Sequence, residues 1–180
     1  CIPRLHWGAT LDQIPDECSH KSHIRKYLDS IDTQVQESCG LLLHGNYSQG
    51  KSALAAICLK AAASHGMIGF WIVAKEIPHH IIKETQFDGE FTVYQRALSV
   101  PLLVIDELQI RKNPAFTEFS AEDLIRSRID EEKPTIITTN VSLAEIKSSY
   151  PALAAVLQEA VLPVKIAGHD FRSGRRRKLS

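Results

Sequence analysis

Gly45, Asn46, Tyr47, Ser48, Gln49, Gly50, Lys51 and Ser52 spell G-x-x-x-x-G-K-S, the spacing of a phosphate-binding loop. Glycines let the backbone bend so that successive N–H groups face phosphate oxygens, and a helix N-terminus adds positive potential. Lys51 is expected to reach the β- and γ-phosphates, and the Ser52 hydroxyl to ligate Mg2+. Residues Gly45 to Ala53 are therefore the candidate nucleotide-binding stretch. A chance match on a glycine turn is the alternative. The context argues against it: the apolar run Leu41–Leu43 precedes the loop and the helix formers ALAAICLKAAA follow.

A second group of polar residues closes other apolar runs. Asp106 and Glu107 end LLVIDEL, a Walker B pattern. Asp106 is placed to hold Mg2+ opposite Ser52, and Glu107 to polarise an attacking water. Adjacent residues on a strand point to opposite faces, so the two acids should do different jobs. Asn140 ends PTIITTN, where a neutral amide can orient a γ-phosphate or lytic water without adding repulsion. It can equally cap the helix that follows. Arg126 and Arg128 precede that strand on one helix. They could serve a neighbouring subunit's site, or lie on a solvated face paired with Glu122 or Glu132.

Composition limits the rest. The chain has 180 residues, enough for one α/β domain. Its 21 basic and 21 acidic residues balance, but every acid lies before residue 172. The tail carries Arg172, Arg175, Arg176, Arg177 and Lys178, a basic arm suited to nucleic-acid phosphates or to solubility alone. Cys1, Cys18, Cys39 and Cys58 are too dispersed for a zinc site or a disulfide framework and read as thiols of a reducing compartment. No membrane-spanning run or signal peptide is apparent, so a cytoplasmic location is expected. The opening Cys1 suggests a piece of a longer protein. His79 and His80 read as surface residues and His44 as lining near the phosphates, while Trp7 and Trp71 suit either core or an adenine shelf.

These residues need elements to position them. Residues 1–19, with Pro3, Gly8 and Pro15, read as an irregular lead-in. Ile24, Tyr27, Leu28 and Ile31 predict an amphipathic helix over 20–31 after a Ser19 cap. Further helices are expected over 51–64, 77–85, 92–99, 120–132 (capped by Ser120), 142–148 and 152–160. Turns or loops are expected over 87–90 and 109–118. Strands are expected at 41–43, 68–74, 101–108, 134–140 and 162–168. Alternating strands and helices predict an α/β fold, a parallel sheet with helices on both faces. Ligands of such sheets sit beyond the carboxyl ends of the strands, where all three motifs fall.

Several stretches carry a family resemblance. IPRLHWGATL before GNYSQGKS, the LLVIDEL strand, the IRSRIDEEKPTIITTN block and the closing AGHDFR resemble the DnaC-type helicase loaders of bacteria and bacteriophages. They are also similar to the IstB-like transposition ATPases, and both groups are AAA+ ATPases. The resemblance spans nearly the whole chain. It implies a P-loop NTPase core of the AAA+ (ASCE) type over 20–171, with the lead-in before it and the tail 172–180 after it. It implies ATP and Mg2+ held by Lys51, Ser52 and Asp106, hydrolysis assisted by Glu107, and Asn140 as sensor 1. It further implies a homo-oligomeric spiral, contact with single-stranded DNA and delivery of a replicative helicase. A helicase-gripping module would precede Cys1. Two departures stand out. Val156 lies where the family usually has an arginine finger, leaving Arg126, Arg128 or Arg172 as substitutes, and no separate helical lid is seen after the last strand. An IstB-like transposition helper and an adaptor that binds ATP without efficient hydrolysis are the rival readings; a metabolic kinase lacks an acceptor site.

Overall fold

Strands written as nearly continuous apolar runs need cover on both faces. The computed structural model, which describes residues 2–84, 92–110 and 116–168, supplies it. Strands β1 (Gly40–His44), β2 (Gly69–Val73), β3 (Leu102–Leu108), β4 (Thr135–Thr139) and β5 (Val161–Lys165) form one parallel sheet in the order β2-β3-β4-β1-β5. In register, Leu41 faces Ile136 on one side and Leu162 on the other, and Trp71 faces Val104. Because neighbours in the sheet are mostly distant in sequence, helices must carry the chain across its faces.

Alternation along each strand divides the core in two. Leu41, Leu43, Trp71, Val104 and Ile136 face α1 (Ser19–Asp29), α2 (Ile31–Gln36) and α3 (Lys51–Ser64) through Ile24, Ile31, Leu54 and Cys58. Leu42, Ile72, Leu103, Ile105 and Ile137 pack with the other layer. That layer comprises α4 (Ile77–Glu84), α5 (Val93–Ser99), α6 (Phe116–Asp130), α7 (Leu143–Ser149) and α8 (Pro151–Ala160). Helix α3 is apolar nearly all round, and every residue from Leu54 to Leu59 is buried. Such a helix must be enclosed. The sheet covers one side, and the lead-in crosses the other: Lys60 Nζ donates to the carbonyls of Trp7 and Ala9.

Some expectations change. The lead-in is not wholly irregular; it holds two short 3-10 turns, Arg4–His6 and Leu11–Gln13. Trp7 is exposed and so lies outside the core, whereas Trp71 is buried on β2 with the His6 ring stacked at 6.0 Å. Helix α1 begins at Ser19 itself, and the unforeseen α2 follows it after a break at Ser30. Helix α6 starts at Phe116, a turn before the expected Ser120 cap. Tertiary cover lets a serine sit inside a helix, and Ser120 is buried. The turn expected around Asp88-Gly89 and the basic tail lie outside the described residues. Among the described residues, no separate helical lid follows β5, and no helix is long and apolar enough to cross a membrane.

Arg128 is the largest change. It is fully buried, and it holds the sheet together at the end remote from the phosphate loop. Its Nη1 donates to the carbonyls of Ala97, Leu98 and Val100 at 2.8, 3.1 and 2.9 Å. Nη2 donates to Pro134 O at 2.7 Å and Nε to Thr135 Oγ1 at 3.0 Å. The guanidinium thus ties the approach to β3 and the start of β4 to α6. Burial lowers its pKa to about 10, so it stays charged at neutral pH. A side chain fixed in this way can neither line a solvated face nor serve a neighbouring subunit, and both earlier readings of Arg128 are corrected. Arg128→Met should strand these carbonyls and cost about 3 kcal/mol or more. Urea melts should show Arg128→Lys recovering only part of the loss, because an ammonium lacks the planar fork.

Candidate functional site

The loop from Gly45 to Gly50 joins β1 to α3 at the carboxyl edge of the sheet. Its glycines are dictated by space and backbone. Gly45 has φ +145°, and a Cβ there would run into the Ile166 carbonyl oxygen and lie 2.8 Å from Gln49 Oε1. Gly50 takes the left-handed conformation (φ 86°) immediately before Lys51 opens α3. Ser48 is also left-handed, at φ 63°. The first N–H groups of α3 have no intrahelical acceptor, so they remain available to an anion in the loop. Lys51 is buried, with Nζ donating to Gly45 O at 2.8 Å and Asn46 O at 2.6 Å. Tyr47 is exposed at the tip of the loop.

Three hydroxyl and carboxyl groups meet behind it. Ser52 Oγ donates to Asp106 Oδ1 at 2.8 Å, and Thr138 Oγ1 donates to the same oxygen at 2.6 Å. Asp106 is only 6% exposed, so these two donors compensate a carboxylate largely removed from water. Thr138 Oγ1 in turn accepts the Glu107 N–H at 2.9 Å. Glu107 has φ 58° and sits where the β3–β4 register slips between Ile105 and Leu108. A left-handed turn in a non-glycine residue is strained, and such strain collects at functional sites. Here it throws the Glu107 side chain into solvent while Asp106 stays beneath. The two acids therefore differ in environment, as their alternation predicts.

The donor set fits Mg2+: a serine hydroxyl and a carboxylate converge, and a hard cation completes its shell with phosphate oxygens and water. Among the described residues no cluster of three His, Cys, Asp or Glu could hold a metal unaided. The loop fits a phosphate chain, since left-handed Gly50 leads straight into the N-terminus of α3 and Lys51 Nζ lies over the loop carbonyls of Gly45 and Asn46.

The other candidates fall as follows. Asn140 lies just after β4, half-buried, at the same edge as the loop and Asp106. It is not the cap of α7. Ser142 is, accepting the Glu145 N–H at 3.2 Å while Glu145 accepts from Ser142 N–H at 2.6 Å. Arg126 follows the solvated-face alternative, with Nη2 donating to Glu122 Oε1 at 2.9 Å and its side chain 52% exposed. Val156 is buried in the core, so a side chain at that position points inward rather than towards a neighbour. The exposed positions of α8 are Pro151, Ala152, Ala155, Gln158 and Glu159, none of them cationic. Arg172, Arg175, Arg176, Arg177 and Lys178 lie outside the described residues.

One site residue and one buried polar side chain escaped sequence reasoning. Thr138 links both acids, and the only hint was its place near the end of a threonine-rich strand. His20, in the first turn of α1, is 3% exposed, and neither ring nitrogen has a hydrogen-bond partner.

A parallel sheet in this order, a phosphate loop after its β1, and an acid pair on the next-but-one strand define the class of P-loop nucleotide-binding folds. No protein-family model matches the chain, and no curated protein matches it in sequence. Within the class, the chain shares the fold of the DnaC-type helicase loaders. The crystal structure of the DnaC helicase loader superposes with a TM-score of 0.77 at 23% identity, covering 92% of this chain and 100% of that one. DnaI superposes at 0.72 with 18% identity, covering 93% of each. The replication initiator DnaA bound to AMPPCP and single-stranded DNA superposes at 0.70 with 15% identity, over 93% of this chain and 52% of that one.

Burial pushes the His20 imidazole below its ordinary 6.5, with His23 adding to the shift. Burial and then Lys165 push His44 down, against Glu145. On unfolding, both groups return to their ordinary values and bind protons more readily. Stability should therefore be full above pH 6.5 and fall as the pH drops below it, by up to about 1.4 kcal/mol per pH unit for each proton taken up. Urea melts across that range would check this, and His20→Phe should reduce the slope by about one proton.

Proposed function

We propose that this chain is the ATPase domain of a helicase loader, coupling ATP binding and hydrolysis to single-stranded DNA and to a replicative helicase. The observation that carries the ATPase part is the shared oxygen of Asp106, which draws Ser52 of the phosphate loop and Thr138 of β4 to one point. The loader part is supported by the fold shared with DnaC and DnaI.

In this reading the loop N–H groups and Lys51 bind the β- and γ-phosphates, and Lys51 exchanges its loop carbonyls for phosphate oxygens. Ser52 and Asp106 would hold Mg2+, which would neutralise charge on the phosphates. Glu107 accepts the proton of a water that attacks the γ-phosphorus as the bond to the β-γ bridging oxygen breaks. Asn140 orients that water or the γ-phosphate. Hydrolysis by the isolated chain is slow, because Arg128 is locked and α8 presents no cation outward. A stabilising charge must come from Arg126, from Arg172 of a second copy in a homo-oligomer, or from a partner. Those same absences favour the second reading, an adaptor that binds ATP without turning it over. An IstB-like helper would share the site and answer to a transposase. The basic tail is the proposed contact for DNA phosphates.

ATP turnover should be low for the chain alone and rise at least tenfold with single-stranded DNA and a replicative helicase. Glu107→Gln should abolish the rise while leaving ATP bound, and Lys51→Ala should remove binding itself. ATP binding without turnover under every condition would leave the adaptor standing.

A further inference from the structure

We propose that His20 contacts the base of the bound nucleotide, an inference that rests on the nucleotide-site reading above. The placement follows a short chain of contacts. Beyond β5, Ile166 N–H donates to the His44 carbonyl at 2.7 Å, at the entrance to the phosphate loop. The Ile166 carbonyl occupies the space a Cβ on Gly45 would need. Two residues further on, a Cβ on Gly168 would lie 3.2 Å from Cys18 Sγ. Three consecutive residues therefore join the first glycine of the loop to the residue that precedes α1. His20 stands two residues past Cys18, in the first turn of that helix.

The chemistry of the ring points the same way. An imidazole offers a hydrogen bond at each nitrogen, and each one buried without a partner costs roughly 1–3 kcal/mol. Buried polar groups are almost always satisfied, so an orphan pair beside a ligand loop calls for a ligand. Phosphates cannot be its natural partner, since Lys51 and the α3 N-terminus already serve them and burial keeps the imidazole neutral. A purine suits it better, because its edge carries ring-nitrogen acceptors and an exocyclic donor or acceptor that a neutral imidazole can match in one tautomer or the other. Both ring nitrogens are closed off from solvent. Lys21, the next residue along α1, is buried as well. It donates to Ile14 O at 2.5 Å and Asp16 Oδ1 at 2.6 Å, fastening the lead-in to α1.

The test is calorimetric binding of Mg-ADP and of Mg-tripolyphosphate to the chain, to His20→Phe, to His20→Asn and to Lys51→Ala. NMR observation of the His20 ring in the unsubstituted chain accompanies it. His20→Phe should weaken ADP about tenfold and leave tripolyphosphate unchanged, while His20→Asn recovers part of the loss. The His20 ring signals should move with ADP and stay put with tripolyphosphate. Equal ADP affinity in the unsubstituted chain and a folded His20→Phe, or ring signals indifferent to ADP, would overturn the proposal. If His20→Phe does not fold, the ring signals decide alone. Failure of the unsubstituted chain to bind either ligand would instead overturn the nucleotide reading, and the inference with it.

Discussion

One oxygen atom, Asp106 Oδ1, fixes the relation between the strands and the phosphate loop. It accepts from Ser52 at the start of α3 and from Thr138 on β4, and Thr138 then takes the backbone N–H of Glu107. A carboxylate with so little water around it is tolerable only when strong donors surround it. Those donors can arrive only if β3 lies beside β4 and β4 beside β1, which is the order the sheet adopts. The strand order, the left-handed Glu107 and the register slip on β3 all serve this one electrostatic requirement.

At the other end of the same strands, Arg128 plays the matching part. A buried guanidinium with no carboxylate in hydrogen-bond contact among the described residues is held instead by carbonyl dipoles from the approach to β3 and the start of β4. Both ends of the β3–β4 pair are thereby pinned by charged groups, with apolar side chains filling the space between. A site whose acids must stand within a fraction of an ångström of their partners benefits from such a frame.

Much of this was legible in the chain. Apolar runs bounded by Gly, Pro and polar tips marked the five strands, and α3 was found to the residue because the loop consensus specifies where the helix begins. The roles of Arg126 and Arg128 were not separable. They lie two apart on one helix, and a spacing of two turns side chains roughly 200° around the axis. One therefore meets Glu122 and water while the other enters the core, but which does which depends on what packs against α6. Val156 presents the same difficulty: its neighbours Leu153, Ala154 and Leu157 are buried with it, and only the packed helix shows that the position faces inward.

The sequence by itself determined the element types and the phosphate loop, because both depend on local spacing, glycine backbone freedom and alternation of apolar residues. The tertiary structure decided which polar groups share an atom. Ser52, Asp106 and Thr138 are separated by 54 and 32 residues. Their meeting depends on sheet order, and sheet order is set by the packing of whole helices on two faces rather than by any local pattern.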